Sequence, residues 1–250
     1  AEHIAGSEGG FANIMNRHAE QMGMTGTHFV NSTGWPNEEH YTTANDLAVL
    51  TRNLIREFPE HYELYKIKEY TFNDIRQFNR NRLLWRDNRV DGVKTGHTES
   101  AGYCLISSAI KNDMRLVSIV LGTSSEQARE TTSRKLLNYG FRFYETFPLH
   151  ASNEPLTTMR VWKGEQKQLQ LGLNNPLYVT VPRGSRNKVK AHMKVDAMIV
   201  APITKGQSLG TVNVMLGEEK LVNHPLIALH EVNEGGLWRK LVDNIILMFE

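Results

Sequence analysis

Val90-Asp-Gly-Val-Lys-Thr-Gly-His-Thr98 carries a Lys-Thr-Gly tripeptide shortly before two runs of strand-forming residues. The runs cover residues 103–110 and 115–121, and Lys111-Asn-Asp-Met114 between them has the composition of a tight turn. Such runs around a turn predict a β-hairpin. A tripeptide of this kind also occurs by chance, as a strand that ends in a turn. Its position before a hairpin predicts an edge strand that carries a cation.

Helical periodicity flanks this strand region on both sides. Apolar residues recur at three- and four-residue spacings in residues 11–22 and again in residues 123–144, which predicts two helices. Thr43-Ala-Asn-Asp46 is close to a capping box, although Asp stands where Glu or Gln is preferred. It predicts a third helix, which ends near Pro59. We therefore expect residues 1–148 to form an α/β domain, an antiparallel sheet with helices.

Short alternating runs without helices between them follow Pro148. Turn residues separate these runs, which cover residues 158–162, 168–173, 177–181, 188–195, 211–216 and 228–232. Strands of this length and spacing are typical of an all-β sandwich. The sequence therefore predicts three parts: a first domain over residues 1–148, a β-sandwich over 149–235 and a C-terminal helix over 236–250.

The last of these parts has an amphipathic pattern. Large apolar residues between Leu237 and Phe249 form one stripe, and the opposite side carries Arg239, Lys240, Asp243 and Asn244. Such a helix either packs on its own domain or lies in the interface of a membrane with its apolar side in the lipid. The Gly235-Gly236 joint before it favours attachment to a membrane surface.

Composition argues against several classes of function. The 250 residues include 29 Lys and Arg against 27 Asp and Glu, a formal net charge of +2. Nucleic acid binding needs a strongly basic face, so we expect no nucleic acid partner. Cys104 is the single cysteine, and the 10 histidines lack the spacing of metal ligands. We therefore expect no metal and no cofactor.

The Lys-Thr-Gly segment has a direct chemical interpretation. A peptide can pair antiparallel with the edge of a strand through backbone hydrogen bonds, and Gly96 leaves room for its approach. Lys94 presents a positive charge to a carboxylate of the peptide and to the proton network of a nucleophile. Thr95 adds a hydroxyl for the same carboxylate. The amide of His97 is placed to donate to a developing oxyanion.

Further motifs accompany this segment along the chain. They are Asp91-Gly-Val-Lys-Thr-Gly-His97 with Ala101-Gly102, Thr27-His-Phe-Val-Asn31 with Gly34, Thr43-Ala-Asn-Asp-Leu-Ala48, Asn79-Arg-Asn81 with Leu83-Leu-Trp85, and residues 129–137. With them the chain resembles the low-molecular-mass penicillin-binding proteins, the serine D-alanyl-D-alanine carboxypeptidases of bacterial cell-wall metabolism. The resemblance covers nearly the whole chain. It implies part of a serine transpeptidase or β-lactamase-like domain, followed by the family's β-rich second domain and membrane anchor.

The resemblance also implies a reaction and its partners. The enzyme removes the terminal D-alanine from peptidoglycan pentapeptides through an acyl-enzyme. Its partners are stem peptides that end in D-Ala-D-Ala, β-lactam antibiotics that mimic them, and the periplasmic side of the cytoplasmic membrane. Lys94 is the implied catalytic residue. The implied substrate-binding residues are Lys94, Thr95, Gly96 and His97 on the strand, with Arg80 and Arg129 at positions that line the cleft and help to hold the terminal carboxylate.

One departure from the family pattern concerns the nucleophile. The family also uses a Ser-x-x-Lys and a Ser-x-Asn motif, and no serine before Lys94 has a lysine three positions later. Two literal matches, Ser108-Ala-Ile-Lys111 and Ser185-Arg-Asn-Lys188, fall in a strand and a turn rather than on a helix, where the two side chains would share a face. We expect a fragment that begins after both motifs and cannot form the acyl-enzyme alone. A natural protein that has lost its nucleophile is the alternative.

Two other functions stay open at this point. The chain is alternatively a non-catalytic module of the cell envelope, in which a sandwich and an anchor organise other cell-wall proteins. A serine β-lactamase is the other enzymatic candidate. Such enzymes usually lack a second β domain, and nothing in this sequence resembles their deacylating Glu.

Overall fold

The computed structural model describes residues 1–248 of the chain. The chain separates into two compact units, Ala1–Arg142 and Phe143–Glu250. This division lies closer to the N-terminus than the predicted boundary at residue 148. Each unit has its own sheets and its own buried core.

The first unit combines short and long helices with two antiparallel sheets. Its helices are α1 (Glu2–Ala5), α2 (Glu8–Gln21), α3 (Ala44–Glu57), α4 (Pro59–Tyr62), α5 (Leu83–Arg86) and α6 (Glu126–Phe143). Its strands are β1 (Glu69–Phe72), β2 (Ile75–Phe78), β3 (Val90–Thr98), β4 (Gly102–Lys111) and β5 (Met114–Thr123). Strands β1 and β2 pair with each other, and the other three form a sheet in the order β3-β4-β5.

The predicted hairpin is confirmed as β4 and β5. The two strands pair antiparallel, with Lys111 opposite Met114. Asn112 and Asp113 fill the turn with φ angles of 51° and 61°, a left-handed region that Asn and Asp tolerate better than other residues. The turn fixes the register of β4, and Leu105 is consequently fully buried.

The core of the first unit lies between the sheet and helices α5 and α6. Its buried apolar side chains are Leu83, Leu84, Val90, Leu105, Ala109, Met114, Leu137 and Phe141. Two of them, on α6, are four residues apart and share a face, which confirms the helical periodicity seen in the sequence. An ion pair of 2.7 Å between Arg86 of α5 and the buried Glu130 of α6 joins the two helices.

The predicted capping box at the start of α3 is only half formed. Thr43 caps the helix as expected, because its hydroxyl accepts the Asp46 N–H at 3.1 Å. The Asp46 carboxylate turns to the preceding loop, where it accepts the Gly26 N–H at 2.8 Å and the Thr27 hydroxyl at 2.6 Å. The carboxylate therefore ties α3 to this loop from a buried position.

The second unit is the predicted β-sandwich. Its elements are β6 (Tyr144–His150), β7 (Thr157–Arg160), β8 (Gln168–Gly172), β9 (Leu177–Pro182), β10 (Val189–Val195), β11 (Ser208–Leu216), β12 (Glu219–Ala228) and α7 (Leu237–Leu247). Five strands form one sheet in the order β10-β11-β12-β8-β7, and β6 pairs with β9. Phe147 and Val179 of the small sheet share one core with Val212 and Leu226 of the large sheet.

The prediction of a strand over residues 228–232 is wrong. Strand β12 ends at Ala228, and beyond it Val232 forms an isolated bridge with Ile203. The sequence did not predict β12 because it contains Pro225, and a proline normally interrupts the hydrogen bonds between strands. In the structure Pro225 lies opposite Thr211 of β11.

Three further strands were not predicted, for two different reasons. Strand β6 contains Pro148, which marked the end of a domain in the sequence. Strands β1 and β2 are exposed along their whole length, so they lack the alternation of buried and exposed residues that identifies a strand.

The amphipathic helix of the tail is confirmed over the described residues, with one correction. Phe249 and Glu250, the end of the predicted helix, lie outside these residues. Asp243 was predicted on an open polar side, but its side chain is 1% exposed, whereas Trp238 is 81% exposed. Helix α7 therefore turns its apolar stripe outward. Within residues 1–248, no helix combines the length and the apolar character needed to span a membrane.

An ion pair just before β3 gives the fold a pH-dependent contribution to stability. The Arg89 Nε and Nη2 donate to Asp87 at 2.8 and 2.5 Å, and these bonds hold the pKa of Asp87 below its usual value. Such a carboxylate stabilises the fold above its unfolded-state pKa of about 3.9. This contribution disappears as the pH falls through the lower folded-state pKa. We expect Asp87→Asn to lower the free energy of unfolding at neutral pH by about 1–3 kcal/mol.

Urea unfolding of both proteins from neutral to acidic pH measures this contribution. The difference between them is expected to shrink once the pH falls below about 4. Asp196→Asn, which changes an exposed aspartate, is the matched control with no comparable difference. A difference that stays constant down to low pH contradicts the assignment.

Candidate active site on an edge strand

The Lys-Thr-Gly tripeptide lies on an edge strand, as predicted. Strand β3 is the first strand of the β3-β4-β5 sheet. The Lys94 side chain is exposed, and its Nζ donates to the Thr95 carbonyl at 2.7 Å. The positive charge is therefore accessible from solvent beside the strand backbone.

Gly96 is not required by the packing of the chain itself. A Cβ at this position would meet only the Cys104 Cβ, at 3.7 Å, which is an ordinary contact, and its φ lies outside the left-handed region. An alanine would therefore fit the folded chain. The consequence of glycine here is the bare backbone that it offers to a molecule lying along β3.

A cavity of about 340 Å³ lies at the end of β3, beyond the tripeptide. Strand β3 and the turn after it contribute Thr98 and Ser100 to the wall, and the loop before α3 contributes the aromatic side chains of Trp35 and Tyr41. Cys104 also lines this cavity and is half-buried. Within residues 1–248, no group of three or more His, Cys, Asp or Glu side chains is arranged to hold a metal ion.

Arg129 lies behind the tripeptide, on α6. Its side chain is 2% exposed, and its Nη1 donates to the Gly96 carbonyl at 3.2 Å. Its guanidinium carbon is 5.5 Å from the centre of the Tyr103 ring, and that ring stacks on His97 with 3.9 Å between the centroids. The buried Nε has no hydrogen-bond partner among the described residues. Arg129 thus connects α6 to the end of the tripeptide through its Nη1, while its Nε–H makes no hydrogen bond to these residues.

Arg80 lies in the loop before α5. Its side chain is exposed, and a buried asparagine anchors the loop beside it: Asn81 donates to the Gly92 carbonyl at 2.9 Å. Asn79 accepts the Asn81 N–H at 2.9 Å. Sequence reasoning assigned no role to these asparagines. Their placement on both sides of Arg80 was the signal that the sequence offered.

A polar cluster fixes the start of β3. The Tyr62 hydroxyl donates to Asp91 at 2.8 Å, and the Arg115 Nη1 donates to Asp91 at 2.9 Å and to Ser108 at 2.6 Å. Burial raises the pKa of Tyr62 above its usual value, so the phenol remains a donor. Gly92 is required here, because a Cβ would lie 2.6 Å from the Tyr62 hydroxyl. The cluster holds the strand at the end opposite to Arg129.

Removing the shared acceptor of this cluster is expected to destabilise the first unit. Asp91→Ala leaves Tyr62 and Arg115 without it and should lower the free energy of unfolding by about 1–3 kcal/mol. Urea unfolding of Asp91→Ala, Arg115→Ala and the double variant measures the coupling. The double variant is expected to cost less than the sum of the single variants. Strictly additive costs contradict the proposed network.

The two literal Ser-x-x-Lys matches lie in unrelated places. Ser108 is fully buried in β4 and accepts from Arg115, whereas Lys111 is exposed at the end of the same strand. Ser185 and Lys188 belong to the second unit, around a short 3₁₀ segment, Arg186–Lys188. Neither pair lies on an α-helix with its two side chains on one face.

Comparison with protein families follows the division into two units. A family model described as D-alanyl-D-alanine carboxypeptidase matches residues 1–125. The chain belongs to this carboxypeptidase family. A second model, described as the C-terminal domain of penicillin-binding protein 5, matches residues 144–234. These matches confirm the resemblance to low-molecular-mass penicillin-binding proteins that the motifs indicated.

Individual members of the family show the same relationship. The D-alanyl-D-alanine carboxypeptidase DacC of Escherichia coli (strain K12) is 41% identical over 251 residues, which cover 100% of this chain and 63% of that protein. Penicillin-binding protein 5 from Haemophilus influenzae is 37% identical, with a TM-score of 0.80 over 93% of this chain and 69% of that one.

A third relative has been solved with a β-lactam. Penicillin-binding protein D2 from Listeria monocytogenes, in a cefotaxime-bound form, is 33% identical, with a TM-score of 0.50. The match covers 52% of this chain and 55% of that one. The α/β unit followed by a β-sandwich matches the fold of the Haemophilus influenzae relative. The chain spans 63% of the length of the Escherichia coli relative.

Proposed function

We propose that this chain forms the substrate-binding wall of a D-alanyl-D-alanine carboxypeptidase that removes the terminal D-alanine from peptidoglycan pentapeptides. The observation that carries the proposal is the exposed Lys94 next to the bare Gly96 on an open strand edge. A cation and unpaired backbone groups are together suited to a peptide that ends in a carboxylate. Membership of the carboxypeptidase family supports the class of reaction.

The residues of β3 have distinct roles in this reaction. The substrate lies antiparallel to β3, and its terminal carboxylate meets Lys94 and Thr95. A serine oxygen adds to the carbonyl carbon between the two D-alanines, the C–N bond breaks, the serine proton ends on the leaving amine, and water then releases the acyl group. The His97 amide stabilises the oxyanion. That serine belongs to a Ser-x-x-Lys motif, which the first unit contains only as the buried Ser108 match.

The two arginines complete the wall from opposite ends of β3. Arginine has five N–H donors, and the contacts of Arg129 engage only some of them, since its Nε is unpartnered. The buried Nε cannot reach a ligand, but the guanidinium places a positive charge directly behind the Gly96 carbonyl, at 3.2 Å, and this charge favours a bound terminal carboxylate. Arg80 adds an exposed positive charge near the start of the strand.

We also infer that β-lactam antibiotics bind the same wall. They mimic the D-Ala-D-Ala end of the substrate and carry a carboxylate that Lys94 and Thr95 would meet in the same way. The cefotaxime-bound form of the Listeria monocytogenes relative supports this inference.

The helix at the end of the chain provides attachment to a membrane surface. Its most exposed apolar residues are Leu237, Trp238 and Met248, and its aspartate Asp243 points inward. A helix that leaves its apolar stripe uncovered gains free energy when that stripe enters the interface of a bilayer. We propose that it holds the enzyme on the periplasmic side of the cytoplasmic membrane, where its substrate lies.

Two experiments test the proposed function: covalent labelling by a penicillin and the binding of a peptide. The 250-residue chain should show no covalent labelling by a fluorescent penicillin, because Ser108 is buried. In NMR spectra, a peptide ending in D-Ala-D-Ala should shift the amides of Gly96 and His97, whereas the same peptide ending in L-Ala-L-Ala is the control. Covalent labelling would reveal a nucleophile in this chain. Equal shifts with both peptides would remove the proposed specificity.

Vesicle flotation tests the membrane attachment. The double variant Leu241→Ser, Ile245→Ser places hydroxyls on the exposed stripe of α7 and is expected to lose flotation. The control, Met193→Ser with Met198→Ser, changes two similarly exposed apolar residues elsewhere in the second unit. Equal flotation of the wild type and the α7 variant contradicts the proposal.

A further inference from the structure

A groove of about 460 Å³ lies beside α7 in the second unit. One wall comes from α7, through Arg239, Val242, Asp243 and Ile246. The other wall comes from the hairpin of β7 and β8, through Thr158, Met159, Arg160, Lys167 and Gln168. The groove thus has three cationic side chains, one carboxylate and an apolar contribution from both walls.

The single carboxylate of the groove is already engaged. Asp243 accepts the backbone N–H of Lys163 at 2.6 Å and lies 3.2 Å from the Arg239 Nε and 3.9 Å from the Arg160 Nη2. One negative charge compensates at most one of the three cations. The groove therefore keeps a net positive charge, which the exposed Lys167 and the half-exposed Arg160 direct to solvent.

Arg160 is held in position by its surroundings. Its guanidinium carbon lies 3.6 Å above the centre of the Trp162 ring, and the Asp243 carboxylate of α7 lies 3.9 Å from its Nη2. A planar guanidinium fixed in this way presents its remaining N–H groups in one orientation, which suits the oxygens of a phosphate group. The flexible Lys167 adds a second charge that can reach the same anion.

The groove lies next to the outward apolar stripe of α7. Residues 239, 242, 243 and 246 of the helix line the groove, whereas Trp238, Leu241, Ile245 and Met248 are exposed to solvent. Val242 connects the groove to the stripe, because it lines the groove and is also 47% exposed. A molecule with an anionic head and an apolar body could therefore place its head in the groove and its body along the stripe.

We propose that this groove binds the phosphate diester of an anionic phospholipid, with Arg160, Lys167 and Arg239 around the phosphate. The inference rests on the proposed attachment of α7 to a membrane and adds a lipid-selective site to it. The chemistry of the cations alone would also suit free phosphate. The adjoining apolar residues, Val242 and Ile246, favour a lipid, because a free phosphate ion gains nothing from them.

Flotation of the full 250-residue chain with vesicles of two compositions tests the site. The wild type should bind vesicles of phosphatidylcholine with phosphatidylglycerol more tightly than vesicles of phosphatidylcholine alone. Arg160→Gln with Lys167→Gln should lower the affinity for the anionic vesicles about 10- to 30-fold and leave the affinity for the neutral vesicles unchanged. Lys167→Gln alone, which keeps Arg160 stacked on Trp162, should lower it about fivefold and serves as the variant that preserves the fold.

A control variant distinguishes an effect specific to the groove from a general effect of the net charge of the protein. Lys190→Gln with Lys194→Gln removes two exposed charges from β10, at the opposite edge of the five-stranded sheet from β7. Four strand spacings put that edge about 19 Å away, beyond the screening length of about 8 Å at physiological salt. The affinity of this control variant for anionic vesicles should change less than about twofold. An equal loss in the control and the groove variant overturns the proposal.

The remaining outcomes distinguish this inference from the attachment on which it rests. Equal binding of the wild type to both vesicle types overturns the lipid site and leaves the attachment intact. No flotation with either vesicle overturns both. If inorganic phosphate raises the melting temperature of the wild type but not of the groove variant, and the vesicle types bind equally, the groove is a phosphate site and the lipid assignment is wrong.

Discussion

Lys94→Gln is expected to weaken the binding of a peptide that ends in D-Ala-D-Ala by about 10- to 100-fold. The Lys94 charge is exposed on the strand edge, and a hydrogen bond from a charged donor to a carboxylate contributes about 1.5–3 kcal/mol. Glutamine keeps a donor and most of the length of the side chain but removes the charge. The measurement is an NMR titration that follows the amides of Gly96 and His97.

Lys111→Gln is the matched control for this experiment. It removes an exposed lysine from the far end of the adjacent strand β4, and it should leave peptide binding unchanged. The free energy of unfolding of both variants should equal that of the wild type, because neither ammonium group is buried. An equal affinity of Lys94→Gln and wild type would contradict the role of Lys94 as the cation of the site.

Arg129→Met is expected to affect stability and binding in opposite directions. The arginine is almost fully buried, but among residues 1–248 it contacts only one carbonyl, the face of Tyr103 and, at 3.5 Å, Glu126, and its Nε has no partner there. Methionine fills a similar volume without this burial cost. Glu126, the partner of Arg129, is 49% exposed, so the substitution leaves no buried charge behind, and we expect the free energy of unfolding to stay unchanged or to rise. Peptide affinity should fall about tenfold or more, because the carboxylate loses a nearby positive charge.

Urea unfolding and the same NMR titration measure these two effects. Arg134→Met changes an exposed arginine on the same helix and should alter peptide binding little. Stability that falls by several kcal/mol in Arg129→Met, with peptide affinity intact, would identify Arg129 as a structural residue. The opposite result supports a charge retained in the core for binding at the expense of stability.

Local patterns predicted the elements that position the site. The hairpin followed from two apolar runs around Asn112-Asp113, the long helix from apolar residues four apart, and the edge strand from the position of Lys-Thr-Gly before that hairpin. These features depend on neighbours in sequence, so they can be derived without coordinates. The strands that were missed, β1, β2 and β6, lack such a local signal or contain a proline.

The tertiary structure decided which polar groups are buried and against what they pack. Asp91 and Arg115 meet because two strands and a helix place them together, and Asp46 leaves its expected cap for the loop at Gly26. Periodicity assigned Asp243 to the open side of α7, but two arginines and a backbone amide draw it inward. Partners that are distant in the chain satisfy these buried groups, and no local pattern specifies such partners. The sequence alone therefore determined the strand and its chemistry, whereas the fold determined how each charge around it is used.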